Sequence, residues 1–210
     1  MTSPPAGVVL RLWRYPVKSM LGERLDALDV DARGVVGDRL FALRDAAGKF
    51  GSGKSTRRFR RIDGLFGFRS LYDGDVPVIV FPDGRPRRGD DPDVHAALSA
   101  AVGQPVTLAR EAAISHLDAG PVHLLTTASL AWLAAVLPDA ALDERRFRPN
   151  LLITAPGARP AAPRARCARA HARGSPGCPA CAILARGFAH SSTTVTDSPH
   201  RTRPDTTTSA

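Results

Sequence analysis

The sequence predicts a mainly β protein with some helix, an α+β chain, on three observations. Apolar residues in the first half alternate at period two in short runs. Gly, Asp and Pro punctuate those runs as turn signals. Only two stretches, 93–102 and 127–137, carry apolar residues at helical spacing. With 210 residues and 43% apolar content, the chain is long enough to bury a substantial core.

Residues 8–13, Val-Val-Leu-Arg-Leu-Trp, read as a strand that Tyr15-Pro16 ends, because proline has no amide to give a central ladder. Lys18 and Ser19 thus fall in a loop at a strand end. Residues 25–30 form a second short strand, Gly34 and Gly37 mark a turn, and 39–44 alternates again, so hairpins are the simplest account. The stretches 62–71 and 77–81 continue the strand-like spacing, with Asp73-Gly74-Asp75 and Asp83-Gly84 as turns. The first half therefore reads as a mostly antiparallel sheet or barrel.

Residues 93–102 read as a short helix ended by Gly103, and 106–108 as a strand. A second helix begins near Thr127 or Ser129, either of which can cap free backbone donors, and runs through Leu130, Trp132, Leu133, Val136 and Leu137 to Pro138. A charged turn at 143–146 leads to Phe147-Arg148-Pro149-Asn150, and 151–153 reads as a buried strand. Beyond Gly157, 53 residues carry 12 Ala, 8 Arg and 6 Pro but only Ile183, Leu184, Phe188 and Val195 as large apolar side chains. Such a segment buries too little surface to offset its ordering entropy and reads as disordered. Its residue usage suggests a reading-frame change near Ala158.

The net charge of +9 invites a nucleic-acid partner, but its distribution argues against one. Residues 158–210 hold 8 Arg against 2 Asp, and the rest of the chain is nearly balanced. No run of apolar residues is long enough for a membrane span, and residues 1–7 lack the pattern of a secretory signal, so a cytoplasmic protein is expected. Cys167, Cys178 and Cys181 are odd in number and do not read as a disulfide framework. Metal ligation, a reactive thiol or no role at all remain open for them.

Residues 48–55, Gly-Lys-Phe-Gly-Ser-Gly-Lys-Ser, match the phosphate-loop pattern letter for letter. That chemistry needs a buried strand running into the loop and a helix leaving it, so that backbone donors converge on the phosphates. Arg44-Asp45-Ala46-Ala47 upstream and Thr56-Arg57-Arg58-Phe59-Arg60-Arg61 downstream supply neither, and a hairpin tip is the better reading.

Two other segments carry the chemistry. In Tyr15-Pro16-Val17-Lys18-Ser19, an ammonium and a hydroxyl after a strand can clasp a phosphate. Arg39 follows a Gly-Asp turn and can aim a guanidinium at the same anion. Arg148-Pro149-Asn150 adds a fork donor, a rigid kink and an amide that both donates and accepts. Thr126, Thr127 and Ser129 can give hydroxyls, although capping accounts for at least one of them.

These segments, with Gly34-Val35-Val36-Gly37-Asp38-Arg39 and Leu124-Leu125-Thr126-Thr127-Ala128-Ser129-Leu130, resemble the MOSC family over roughly residues 8 to 157. The resemblance implies an N-terminal β-barrel-like domain over 1–115, a truncated MOSC β-barrel domain over 116–157 and an atypical tail over 158–210. It implies that Lys18, Ser19, Arg39, Thr127, Ser129, Arg148, Pro149 and Asn150 contact a molybdenum cofactor. It also implies a cysteine that is both metal ligand and catalytic group, for which Cys181 in Cys178-Pro179-Ala180-Cys181 is the candidate and Cys167 the runner-up. The expected activity is oxidoreduction of N-hydroxylated or similar small molecules, with a separate electron-transfer protein, or sulfur handling for cofactor maturation. Pyridoxal phosphate, also linked to the family, finds no convincing Schiff-base lysine. A catalytically defective cofactor-binding protein and a nucleotide-binding protein using Gly48 to Ser55 are the alternatives.

Overall fold

The computed structural model describes residues 7–118, 120–140 and 142–154, together with the backbone of 193–196. Its strands are β1 (Val8–Arg14), β2 (Glu23–Leu25), β3 (Ala27–Asp31), β4 (Gly34–Val35), β5 (Phe41–Asp45), β6 (Phe50–Ser52), β7 (Phe59–Arg61), β8 (Arg69–Asp73), β9 (Val76–Val80), β10 (Pro86–Arg88), β11 (Val106–Arg110), β12 (Leu124–Thr126), β13 (Leu151–Thr154) and β14 (Thr193–Thr196). Two helices, α1 (Val94–Val102) and α2 (Thr127–Val136), complete a mainly β chain. The strands fall into sheets ordered β12-β13-β1-β2, β10-β9-β8, β11-β5-β6-β7 and β14-β3-β4. No closed barrel forms among the described residues.

The central strand of the first sheet is β1, antiparallel to both β2 and β13. Its register against β13 slips by one residue between Val9 and Arg11, a bulge that changes which side chains face inward. Parallel pairing of β12 with β13, joined by α2, makes a short strand–helix–strand unit. Through β1 and β13, residues from the two ends of the described chain share one ladder, and the loops after β1 and before β13 meet at its end.

The main core gathers Val17, Met20, Leu43, Ile62, Leu65, Phe68, Ile79, Val94, Leu98 and Val106. Thus β5, β9, α1 and β11 converge on the loop that follows β1. Gly103 at φ 69 ends α1 where expected, its left-handed backbone costing glycine nothing.

Two local expectations are corrected. The stretch 62–71 is not one strand: Gly64 at φ 77 reverses the chain into a 3-10 turn at Leu65–Gly67, and β8 starts only at Arg69. Leu65 and Phe68 are both buried at a spacing of three, which a strand would have put on opposite faces. The cap of α2 is Thr126, whose hydroxyl accepts from the Ser129 amide at 3.0 Å, one residue before the earliest expected cap. The first half is mostly antiparallel as expected, with the parallel pairing of β7 and β6 as its exception.

Candidate functional site

Lys18 and Ser19 sit between Val17 and Met20, both fully buried, so packing on either side pins the loop. The Lys18 amide donates to the Phe41 carbonyl at 2.7 Å, tying the loop to β5. The Lys18 side chain is itself buried, with Nζ donating to the His116 carbonyl at 2.8 Å and pairing with Asp118 Oδ1 at 3.0 Å. Nζ also lies 4.9 Å from the centre of the Phe59 ring. Burial lowers its pKa to about 8; Asp118 opposes that shift, and Arg148 and Arg39 add to it. Ser19 Oγ donates to the Gly51 carbonyl at 3.1 Å.

Arg39 precedes β5. Its guanidinium pairs with Asp38, donates to the Arg148 carbonyl at 3.0 Å and lies over the Tyr15 ring. Asp38 is fully buried and also accepts from the Tyr15 amide at 2.8 Å, so this carboxylate is held from two sides. Tyr15 in turn donates its hydroxyl to the Pro149 carbonyl at 3.1 Å. Burial pushes that phenol up, which keeps it a donor. The loop after β1, the Gly-Asp-Arg turn and the Arg-Pro-Asn segment therefore interlock.

Arg148 is the least satisfied member. Its Nε is buried with no hydrogen-bond partner, and among the described residues no carboxylate pairs with its guanidinium, which lies 5.6 Å from the Phe66 ring centre. Burial, and then Arg39, lower its pKa. Pro149 contributes the carbonyl already described. Asn150 is fully buried and its amide is committed at both ends: Oδ1 accepts from the His123 amide at 2.9 Å and Nδ2 donates to the Trp13 carbonyl at 3.3 Å. It latches β1 to the segment entering β12.

Ser19, Arg39 and Arg148 are the non-glycine residues with positive φ among those described, at 67, 54 and 49°. A side chain in that region costs roughly 1–2 kcal/mol. That strain falls on three of the residues singled out from the sequence, and strain of this kind clusters at functional sites.

Asp118 and His116, which sequence reasoning missed, lie in the segment between β11 and β12. Glu111 organises that segment, accepting from Arg33 Nε and Nη2 at 2.7 Å each, from the His116 amide at 2.6 Å and from Ser115 Oγ at 3.2 Å. Paired chiefly with Arg33, its carboxyl is held down at about 2. His116 is buried, edge-on to Phe50, with Nδ1 3.1 Å from the Arg39 carbonyl, which can only accept, so the proton belongs on Nδ1. Nothing in the spacing of Ser115-His116-Leu117-Asp118 marks these residues, because their partners are some hundred positions away.

Thr127 opens α2, and Ser129 Oγ shares a 2.9 Å hydrogen bond with Thr126 Oγ1. Among the described residues neither hydroxyl is bonded to Lys18, Arg39 or Arg148. Cys181, Cys178 and Cys167 lie outside the described residues, and among those described no group of three or more His, Cys, Asp or Glu could hold a metal. Residues 48–55 are not a phosphate loop: β6 is antiparallel to β5 across the turn at Gly48, and the chain leaving Ser55 enters β7, not a helix. Lys54 instead lies 5.0 Å from the Phe59 ring, whose centre is also close to Lys18 Nζ.

Lys18, Arg39 and Arg148 lie within one another's electrostatic reach and form a basic cradle, with Lys54 nearby across the Phe59 ring. No curated protein matches the chain. Two family profiles do: the MOSC N-terminal beta barrel domain over residues 6–66 and the MOSC domain over residues 98–208. The second continues through the Ala/Arg/Pro-rich segment and its cysteines.

Proposed function

The chain belongs to the MOSC domain family, and from that premise we propose that it binds a molybdenum cofactor, taking the phosphate end in the cradle of Lys18, Arg39 and Arg148. MOSC domains are associated with molybdenum cofactor sulfurase-like proteins. The observation that carries the reading is Arg148: a guanidinium with a buried, unpartnered Nε, held by left-handed backbone beside two further cations. A buried donor without a partner is costly, and a bound phosphate oxygen would satisfy it.

The residues present fit such a group at its phosphate end. Lys18 would act as a point charge, Arg39 and Arg148 as fork donors, and the Asp38–Tyr15–Pro149 bonds keep the two arginines in register. The buried Phe59 ring lies against Lys18, and the Phe66 ring lies beside Arg148. When bound, the molybdenum would supply two-electron redox chemistry, with Cys181 as the thiolate ligand implied by the family resemblance. The activity we assign is oxidoreduction of small N-hydroxylated compounds fed by a separate electron-transfer protein, or sulfur handling for cofactor maturation.

The test is the molybdenum and phosphorus content of the full chain purified from a host that makes the cofactor, beside Arg148→Ala and Cys181→Ala. Near-stoichiometric content of both elements, lost in Arg148→Ala, is expected. Cys181→Ala should lose the metal. A wild-type chain holding neither element would overturn the assignment.

A further inference from the structure

Two carboxylates face the cradle, and they are held very differently. Asp38 is fully buried and tied by both the Tyr15 amide and Arg39. Among the described residues Asp118 makes one ion pair, to Lys18 Nζ at 3.0 Å, and its side chain is 39% exposed where that of Lys18 is 1% exposed. It lies in the field of Lys18, Lys54 and Arg148: burial pushes its carboxyl up, and those three cations outweigh that and hold it below its usual range.

Resting on the phosphate-binding reading above, we infer that Asp118 is a displaceable internal anion, occupying Lys18 in the free protein and swinging toward solvent when a phosphate arrives. A dianionic phosphate bound at Lys18 with Asp118 still in place would set like charges within a few ångströms. Lys18 does not collapse when Asp118 leaves, because Nζ keeps its 2.8 Å bond to the His116 carbonyl and frees further protons for the ligand. Glu111, not Asp118, fixes the His116 amide, so the carbonyl that steadies Lys18 stays in place during the exchange. The half-exposed position gives the displaced carboxylate water to enter. Asp118 is thus a specificity device: a weak or singly charged anion does not repay the lost ion pair, and a phosphate monoester does.

The experiment is calorimetric titration of methyl phosphate into the full chain, the Asp118→Asn and Asp118→Ala variants, and Lys18→Met combined with Asp118→Asn, with thermal midpoints as a check on folding. Removing a competing charge-assisted contact should tighten binding by roughly tenfold or more in both Asp118 variants. The gain should vanish in the double variant. Wild-type binding with Asp118 variants no tighter, or weaker, would overturn the exchange alone and make Asp118 a fixed part of the cradle. Failure of wild type and both Asp118 variants to bind would overturn the exchange together with the phosphate-binding reading.

Discussion

Raising the pH from 7.5 to 9.5 should weaken phosphate binding by an amount that Lys18 sets. In the free protein burial brings the Lys18 ammonium down to about 8. A phosphate monoester, with its second pKa at about 6, is already a dianion throughout this range. A bound dianion favours the charged lysine, so Lys18 titrates higher in the complex than in the free protein. Between those two values binding must take up a proton, and affinity falls by up to tenfold for each pH unit. From the protonated fractions at the two ends, the loss is roughly 20-fold. Calorimetric titration of methyl phosphate across the range reads it directly, and Lys18→Met should bind weakly with no such slope. A flat wild-type profile, or the same decline in Lys18→Met, would refute the assignment of Lys18 to the anion. Stability runs the other way: the unfolded chain holds the Lys18 proton up to about 10.5 and the folded chain only to about 8, so this residue makes the fold more stable as pH climbs between them.

Three further outcomes follow from contacts on the same ladder and loops. Asn150→Ala leaves the His123 amide and the Trp13 carbonyl without their partner and should cost about 2–4 kcal/mol in denaturant unfolding; a loss under 1 kcal/mol would mean that water replaces the latch. Thr126→Ala removes the cap of α2 and should cost about 1 kcal/mol, with Thr126→Ser near wild type by the same assay. Glu111 is held down at about 2, so its contribution is present above its ordinary value of 4.5 and is lost as pH falls toward 2. Glu111→Gln should flatten that part of the acid-unfolding curve.

What could be read from the sequence was what local chemistry decides. Residues 8–13 form β1 because β-branched and large apolar residues run up to a proline-marked stop, and Gly103 ends α1 because only a left-handed residue closes that helix cheaply. Lys18, Arg39 and Arg148 were visible as cations beside turns. Their left-handed backbone was not, because Ser and Arg give no signal for positive φ. The run 62–71 misled because a short apolar stretch fits a strand or a turn of helix equally, and only burial of both Leu65 and Phe68 decides between them. Asn150 looked like a turn residue, and its two-ended latch depends on β1, some 137 positions away. Asp118 and His116 acquire meaning only once Lys18 is beside them, and no spacing within residues 111–123 encodes that.

The pairing of β1 with β13 bears on when this protein can become whole during its own synthesis. From the moment residues 8–14 leave the ribosome, one side of β1 has no partner until residues 151–154 follow. At ordinary translation speeds that interval is roughly 7–28 s, with an apolar strand edge open to other nascent chains. Arg148 emerges in the last moments of the same interval, so the cluster of Lys18, Arg39 and Arg148 is incomplete until the ladder is about to close. On the phosphate-binding reading, a ligand that arrives before then meets only Lys18 and Arg39, and the complete set of cations is offered only once the ladder closes.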